Sequence, residues 1–151
     1  MIREIVAPHT GLAFAAMRAL RPQLSDELAF VHQVDEIQRP QGYRLAGAFE
    51  GSLPDAVAVA GFRIAHSISW GRFLYVDDLS TLPTARRRGH ARRLLDWLVE
   101  EARRSGCGQL HLDSGVGPER ADAHRLYRNA GLQVSAYHFA RLVEAPASDP
   151  A

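Results

Sequence analysis

Residues 73 to 115 constrain the fold more than any other part of this chain. Phe73 to Leu82 is a β-rich run. Beyond a short basic connector, Ala91, Leu94, Leu95, Leu98, Val99 and Ala102 recur at i, i+3, i+4, i+7, i+8 and i+11, a single apolar stripe along one helix. Ser105-Gly-Cys-Gly supplies a glycine C-cap, and Gln109 to Ser114 reads as a short strand. Strand, helix and strand at this spacing make a βαβ unit, whose crossover sets the two strands parallel.

The remaining elements are arranged around that unit. Ile2 to Ala7 reads as a first strand. Thr10 can cap a helix to about Leu20, which Pro22 stops, and Ser25 or Asp26 caps a second helix running towards Arg39. Tyr43 to Glu50 and Ala56 to Ala65 are strand-like and joined by the turn residues 51–55; Ser67 to Arg72 is a connector. Pro118 suits the first turn of a helix to about Ala130, Gly131 ends it, Val134 to Val143 reads as a last strand, and residues 144–151 read as a disordered tail. The order β-α-α-β-β-β-α-β-α-β predicts an α/β protein of α+β type. Its sheet is mixed and mostly antiparallel, with a parallel βαβ core and about four flanking helices, in one domain over residues 1–143.

Composition removes several classes of function. The 151 residues carry a net charge of +1, which gives no overall reason to expect nucleic acid or an acidic membrane as partner. Cys107, the only cysteine, excludes an intrachain disulfide framework and a cysteine-based zinc cluster. His111 and Asp113 share a strand face, but no third ligand follows at a metal-site spacing, so no metal is expected. The first residues lack the apolar stretch of a signal peptide and no run has the length of a membrane span, which makes a soluble cytoplasmic protein the default.

The connector inside the βαβ unit carries chemistry. In Thr84-Ala-Arg-Arg-Arg-Gly-His-Ala-Arg-Arg, small residues at Gly89 and Ala91 let backbone N–H groups approach a ligand, and arginines flank them. Bare amides at a helix N-terminus with positive charge beside them suit a phosphate. A pattern R/Q-x-x-G-x-G/A occurs by chance in about one chain in ten of this length. A solvated basic turn is the bland alternative.

Context selects between them. Tyr75-Val-Asp-Asp-Leu-Ser-Thr-Leu-Pro-Thr-Ala-Arg-Arg-Arg-Gly-His-Ala, followed downstream by Ala123-His-Arg-Leu-Tyr-Arg-Asn-Ala-Gly-Leu, resembles the GNAT superfamily of acyl-CoA-dependent N-acyltransferases. The likeness spans about residues 43 to 143; the first forty residues match only in expected shape. It implies acetyl-CoA as co-substrate and direct transfer in a ternary complex, with no acyl-enzyme. Backbone amides of Arg87, Arg88, Gly89, His90 and Ala91 would hold the pyrophosphate, Arg86 would add charge, and Leu79 and Thr81 would pair with the pantetheine arm. Arg87, Arg88, Arg92 and Arg93 are within the region that would meet the 3′-phosphate or would be solvated surface. Tyr127 would protonate the leaving thiolate, and Asp77 would take a proton from the amine, through water because its side chain is short. His124 would orient Tyr127 or touch coenzyme A, or serve structure alone. Homodimer formation rests on analogy only.

Asp77 and Asp78 are consecutive on a strand, so strict alternation predicts opposite faces. Trp70, Phe73, Tyr137 and Phe139 either line an acceptor pocket or pack the sheet, with packing the safer reading; Trp97 lies off the main helix stripe. The favoured function is N-acetyl transfer to a primary amine of a small molecule. A protein N-terminus or lysine as acceptor, a non-catalytic acyl-CoA-binding module, and an arginine-based nucleic-acid binder rank below it. Near-neutral net charge argues against the last.

Overall fold

The computed structural model describes residues 1–144. Five strands, β1 (Ile2–Ile5), β2 (Arg44–Ala48), β3 (Ala58–Ser67), β4 (Gly71–Thr81) and β5 (Gln109–Leu112), form one sheet in that spatial order. The first three pairings are antiparallel and β4–β5 is parallel, as the βαβ reading requires. The helices are α1 (Phe14–Leu20), α2 (Glu27–His32), α3 (His90–Arg104) and α4 (Ala121–Asn129).

Each sheet face buries its own core. On one face Leu94, Leu95, Leu98 and Ala102 of α3 meet Phe62, Leu74, Val76 and four alanines, Ala46, Ala48, Ala58 and Ala60. Alanine at four facing strand positions lets the helix backbone lie close to the sheet, so the leucines fill the space. Burying each such leucine contributes roughly 1.5–3 kcal/mol. On the other face Ala13, Ala16, Met17, Phe30 and Val34 pack on Ile5, Tyr43, Leu45 and Val59.

Asp26 caps α2, accepting from the N–H groups of Leu28 and Ala29 at 3.3 Å each. The expected single helix to Arg39 instead widens to π winding over Gln33–Gln38 and ends in a 3-10 turn at Arg39–Gln41. Arg39 donates to Asp35 at 2.8 Å and to the buried Thr10 hydroxyl at 2.9 Å, while Thr10 donates to Asp35 at 2.7 Å. This cluster fastens the segment that continues α2 to the 3-10 turn, Thr10–Ala13, that leads into α1.

Two further expectations are corrected. The connector at 67–72 is a tight hairpin, because β3 continues to Ser67 and β4 starts at Gly71, whose φ of +67° glycine adopts at little cost. The last strand, Val134–Val143, does not form among the described residues. Alternating residue types favour extended backbone, but a strand also needs a partner edge in register. Here Tyr137, Phe139 and Leu142 are exposed, and His138 Nδ1 lies 3.2 Å from Asp113, the residue after β5. Apart from Glu144, the expected tail lies outside the described residues. Among those residues no helix is long and apolar enough to cross a membrane.

Candidate active site

A β-bulge builds the centre of the site. Gly61 pairs with Asp78 and the next residue, Phe62, pairs with Val76, so Asp77 is the extra residue on β4. The bulge resets the alternation. Leu74 and Val76 point into the core with α3, and beyond the bulge Leu79 does so. Asp77 and Asp78 therefore share the opposite face and line the same two cavities. Strict alternation had predicted opposite faces; the inserted residue overturns it.

Both carboxylates are held by arginines from elsewhere in the chain. Arg63 of β3 grips Asp77 with two bonds, Nε to Oδ2 at 2.7 Å and Nη2 to Oδ1 at 3.0 Å. Arg21, just past α1, donates to Asp78 Oδ1 at 2.9 and 3.1 Å and to the Asp77 carbonyl at 3.2 Å. The buried Tyr43 hydroxyl donates to Asp78 Oδ2 at 2.7 Å. Burial, reinforced by Asp78, pushes the Tyr43 phenol far above its ordinary value, so it stays a donor.

The parallel ladder stops at Val76 and Leu112. Beyond it β4 keeps β3 on one side and, among the described residues, has no strand on the other, leaving backbone of the Leu79–Thr81 stretch unpaired on that edge. A cleft of about 270 Å³ occupies the gap, lined by Asp77, Asp78 and Leu79 on one wall and Asp113, Ser114, Gly115 and Tyr127 on the other. Tyr127 is 9% exposed, and burial raises its phenol above the ordinary tyrosine value, with Arg120 beside it pulling the other way. His124 Nε2 lies 2.7 Å from the Gly115 carbonyl and 3.1 Å from Ser114 Oγ, so this side chain ties the loop after β5 to α4.

The arginine–glycine turn lies at the start of α3. Arg87 has φ of +62° and Gly89 of +80°, and no side chain caps the helix end that follows. Two left-handed residues bend the backbone just ahead of α3, whose first-turn N–H groups have no partner within the helix, a cradle for an anion. Its shape is fixed from behind. Glu50 accepts from Arg88 at 2.7 Å and lies 2.5 Å from Nε2 of the buried His90. These contacts, His90 first, hold the Glu50 carboxyl below its ordinary value. Arg93 donates to the Arg88 carbonyl at 2.9 Å, and Arg92 to the Asn129 carbonyl at 3.1 Å. Arg86 and Arg87 are exposed and make no ion pair among the described residues.

The structure thus brings Asp77, Leu79 and Tyr127 to one cleft. The side chains of Arg88 and His90 are engaged with Glu50, which leaves their backbone amides as the available contacts. Sequence reasoning missed Arg21, Tyr43, Glu50, Arg63 and Arg120. Only Arg63 had a local signal, a charge amid the apolar run of β3. Trp70 and Phe73 do not line the cleft: Trp70 stacks on His111 at 3.5 Å with Phe73 edge-on at 5.0 Å.

Comparison with known proteins gives concordant matches. The model described as the acetyltransferase (GNAT) family matches residues 11–132. The chain is 30% identical over 132 residues to the uncharacterized N-acetyltransferase YhdJ of Bacillus subtilis (strain 168), covering 87% of this chain and 89% of that protein. An acetyltransferase structure from Trypanosoma brucei has a TM-score of 0.79 at 16% identity, over 95% of this chain and 99% of the other. The aminoglycoside N-acetyltransferase AAC(6')-Iy in complex with CoA has 0.74 at 19% identity, over 96% and 95%.

Proposed function

The chain belongs to the acetyltransferase (GNAT) family, and from that premise we propose that it moves an acetyl group from acetyl-CoA to a primary amine of a small molecule, by direct attack in a ternary complex. One observation carries the reading: a single cleft is lined by the open edge of β4 at Leu79, the Asp77 carboxylate and the buried Tyr127 phenol. A donor, a base and an acid for acyl transfer need that arrangement.

The residues fit the co-substrate. The bend at Arg87–Gly89 and the uncapped start of α3 offer amides to the pyrophosphate, with Arg86 and Arg87 adding charge. The unpaired edge at Leu79 and Thr81 accommodates the pantetheine arm as an added strand. The thioester supplies an activated acetyl carbon. A backbone N–H near Leu79 stabilises the oxyanion that forms when the amine attacks. Asp77 takes the ammonium proton through water; each of its oxygens keeps a lone pair beyond those used by Arg63. Tyr127 gives its proton to the departing thiolate, and its raised pKa keeps that proton in place at neutral pH. His124 holds the opposing wall.

Thiol release from acetyl-CoA, followed with the purified chain across a panel of primary amines, tests the proposal. Amine-dependent release with acetylated product in mass spectra is expected. Tight acetyl-CoA binding with no release for any amine would overturn it.

A further inference from the structure

The acceptor side of the site has an unusual charge balance. A second cavity, of about 420 Å³, adjoins the first and is lined by Arg21, Gln38, Gln41, Tyr43, Arg63, Asp77 and Asp78. No other charged residue lines it, so two guanidiniums and two carboxylates face each other. Across the first cavity Arg120 and Asp113 add one charge of each sign. An acceptor cleft that recruits only ammonium groups needs surplus carboxylate; this one has none.

The arginines also retain binding capacity. Arg21 and Arg63 each use Nε and Nη2 for their carboxylate and backbone partners, leaving the Nη1 amino group of each without a hydrogen bond among the described residues. Their side chains are 44% and 43% exposed. Arg21 comes from the end of α1 and Arg63 from β3, and both are pinned by adjacent carboxylates, so two N–H₂ groups are held at the cleft before any ligand arrives. Pinned guanidiniums with spare donors bind an anionic oxygen group at low entropic cost. They also repel a second cationic centre on the acceptor.

We infer that the acceptor is a small zwitterion, an amine that also carries an acid group, a carboxylate or a phosphate, which Arg21 and Arg63 hold while the amine faces the thioester. The inference rests on the acetyl-transfer reading and narrows its substrate. The reacting amine lies towards Asp77, and the acid group towards the Nη1 edges.

The test uses the purified full chain with matched pairs of acceptors: β-alanine against β-alaninamide for carboxylate, O-phosphoethanolamine against ethanolamine for phosphate, and cadaverine as a diamine without acid. At least one acid-bearing member should exceed its neutralised partner about tenfold in kcat/KM, and the pair that does so identifies the acid group. Arg21→Gln and Arg63→Gln should erase the preference through the acceptor KM, leaving the KM for acetyl-CoA unchanged; Arg63→Lys should restore part of it. Preference for the neutralised member in both pairs, or for cadaverine over every acid-bearing acceptor, would overturn the inference. Calorimetric titration of the same pairs into the CoA-loaded chain measures the preference without turnover. Acid-dependent binding without turnover would sink acetyl transfer and leave the zwitterion site standing. Binding or turnover indifferent to the acid group, or no binding of any member, would sink the site.

Discussion

Gly61 faces Asp78 across the β3–β4 ladder, and the Tyr43 hydroxyl fills the space a side chain on Gly61 would take. A Cβ built on Gly61 would lie 1.8 Å from that oxygen. The glycine is thus a packing requirement, since it lets a buried phenol reach an aspartate at the bulge.

Gly61→Ala is therefore expected to expel Tyr43 from its place. Overpacking of this kind costs roughly 1–3 kcal/mol. Chemical denaturation should show that loss, along with a raised acceptor KM as Asp78 loses its donor. Unchanged stability would remove the role given to Tyr43.

Tyr127→Phe removes the proposed acid while keeping the ring, which belongs to the core cluster on the α3 face of the sheet. Turnover should fall by about 10²–10⁴. Acetyl-CoA affinity, measured by titration calorimetry, should hold. Normal turnover would reassign Tyr127 to the core.

For Asp77→Asn, the expected result is a rate loss at pH 7 that shrinks at high pH, where the acceptor arrives as free amine. Arg63 retains a hydrogen-bonding partner in asparagine, which limits structural damage. Wild-type rates throughout a pH series would reject the base role.

Gly89→Ala places a β-carbon on a residue with φ of +80°, 2.9 Å from Arg93 Nη1. A left-handed residue other than glycine costs about 1–2 kcal/mol. The bend should open, raising the acetyl-CoA KM about tenfold while the acceptor KM stays constant. A unique effect on the acceptor KM would contradict the phosphate cradle.

Acid should unfasten the α2 segment. Burial pushes the Asp35 carboxyl up, but bonds from Thr10 and Arg39 outweigh it, so its folded pKa lies below the ordinary value. A depressed carboxylate contributes stability that is complete above its unfolded pKa, roughly 4, and is lost as pH falls through the folded one. Melting temperature should thus drop below about pH 4. Asp35→Asn should flatten that drop while lowering stability at neutral pH by about 1–3 kcal/mol. An unaltered acid limb would assign it to other groups, such as Glu101 beside Arg44 and Arg104.

The βαβ unit was legible in the chain because the 91–102 stripe is long and unbroken, and Tyr127 and the Arg86–Ala91 turn because each lies in a contiguous motif. The bulge was not legible. Asp77 and Asp78 alternate like any strand residues until the β3 register is known, and that register depends on a tyrosine and a glycine eighteen positions apart. Arg21 and Arg63 escaped notice for the same reason: they reach the site across 57 and 14 residues of sequence. The strand expected over 134–143 was misread because pattern alone cannot supply a neighbouring edge.

The bulge gives β4 an uneven tolerance to genetic change. Substitutions along the strand alter one side chain at a time, whereas deleting one residue at the bulge would restore a regular pleat. Asp78 would keep its place opposite Gly61, and the cleft would lose the Asp77 carboxylate that Arg63 grips through a change of length alone. Natural variants of this strand should therefore differ in residue type while keeping their spacing, since the count of residues there decides which carboxylates face the cleft.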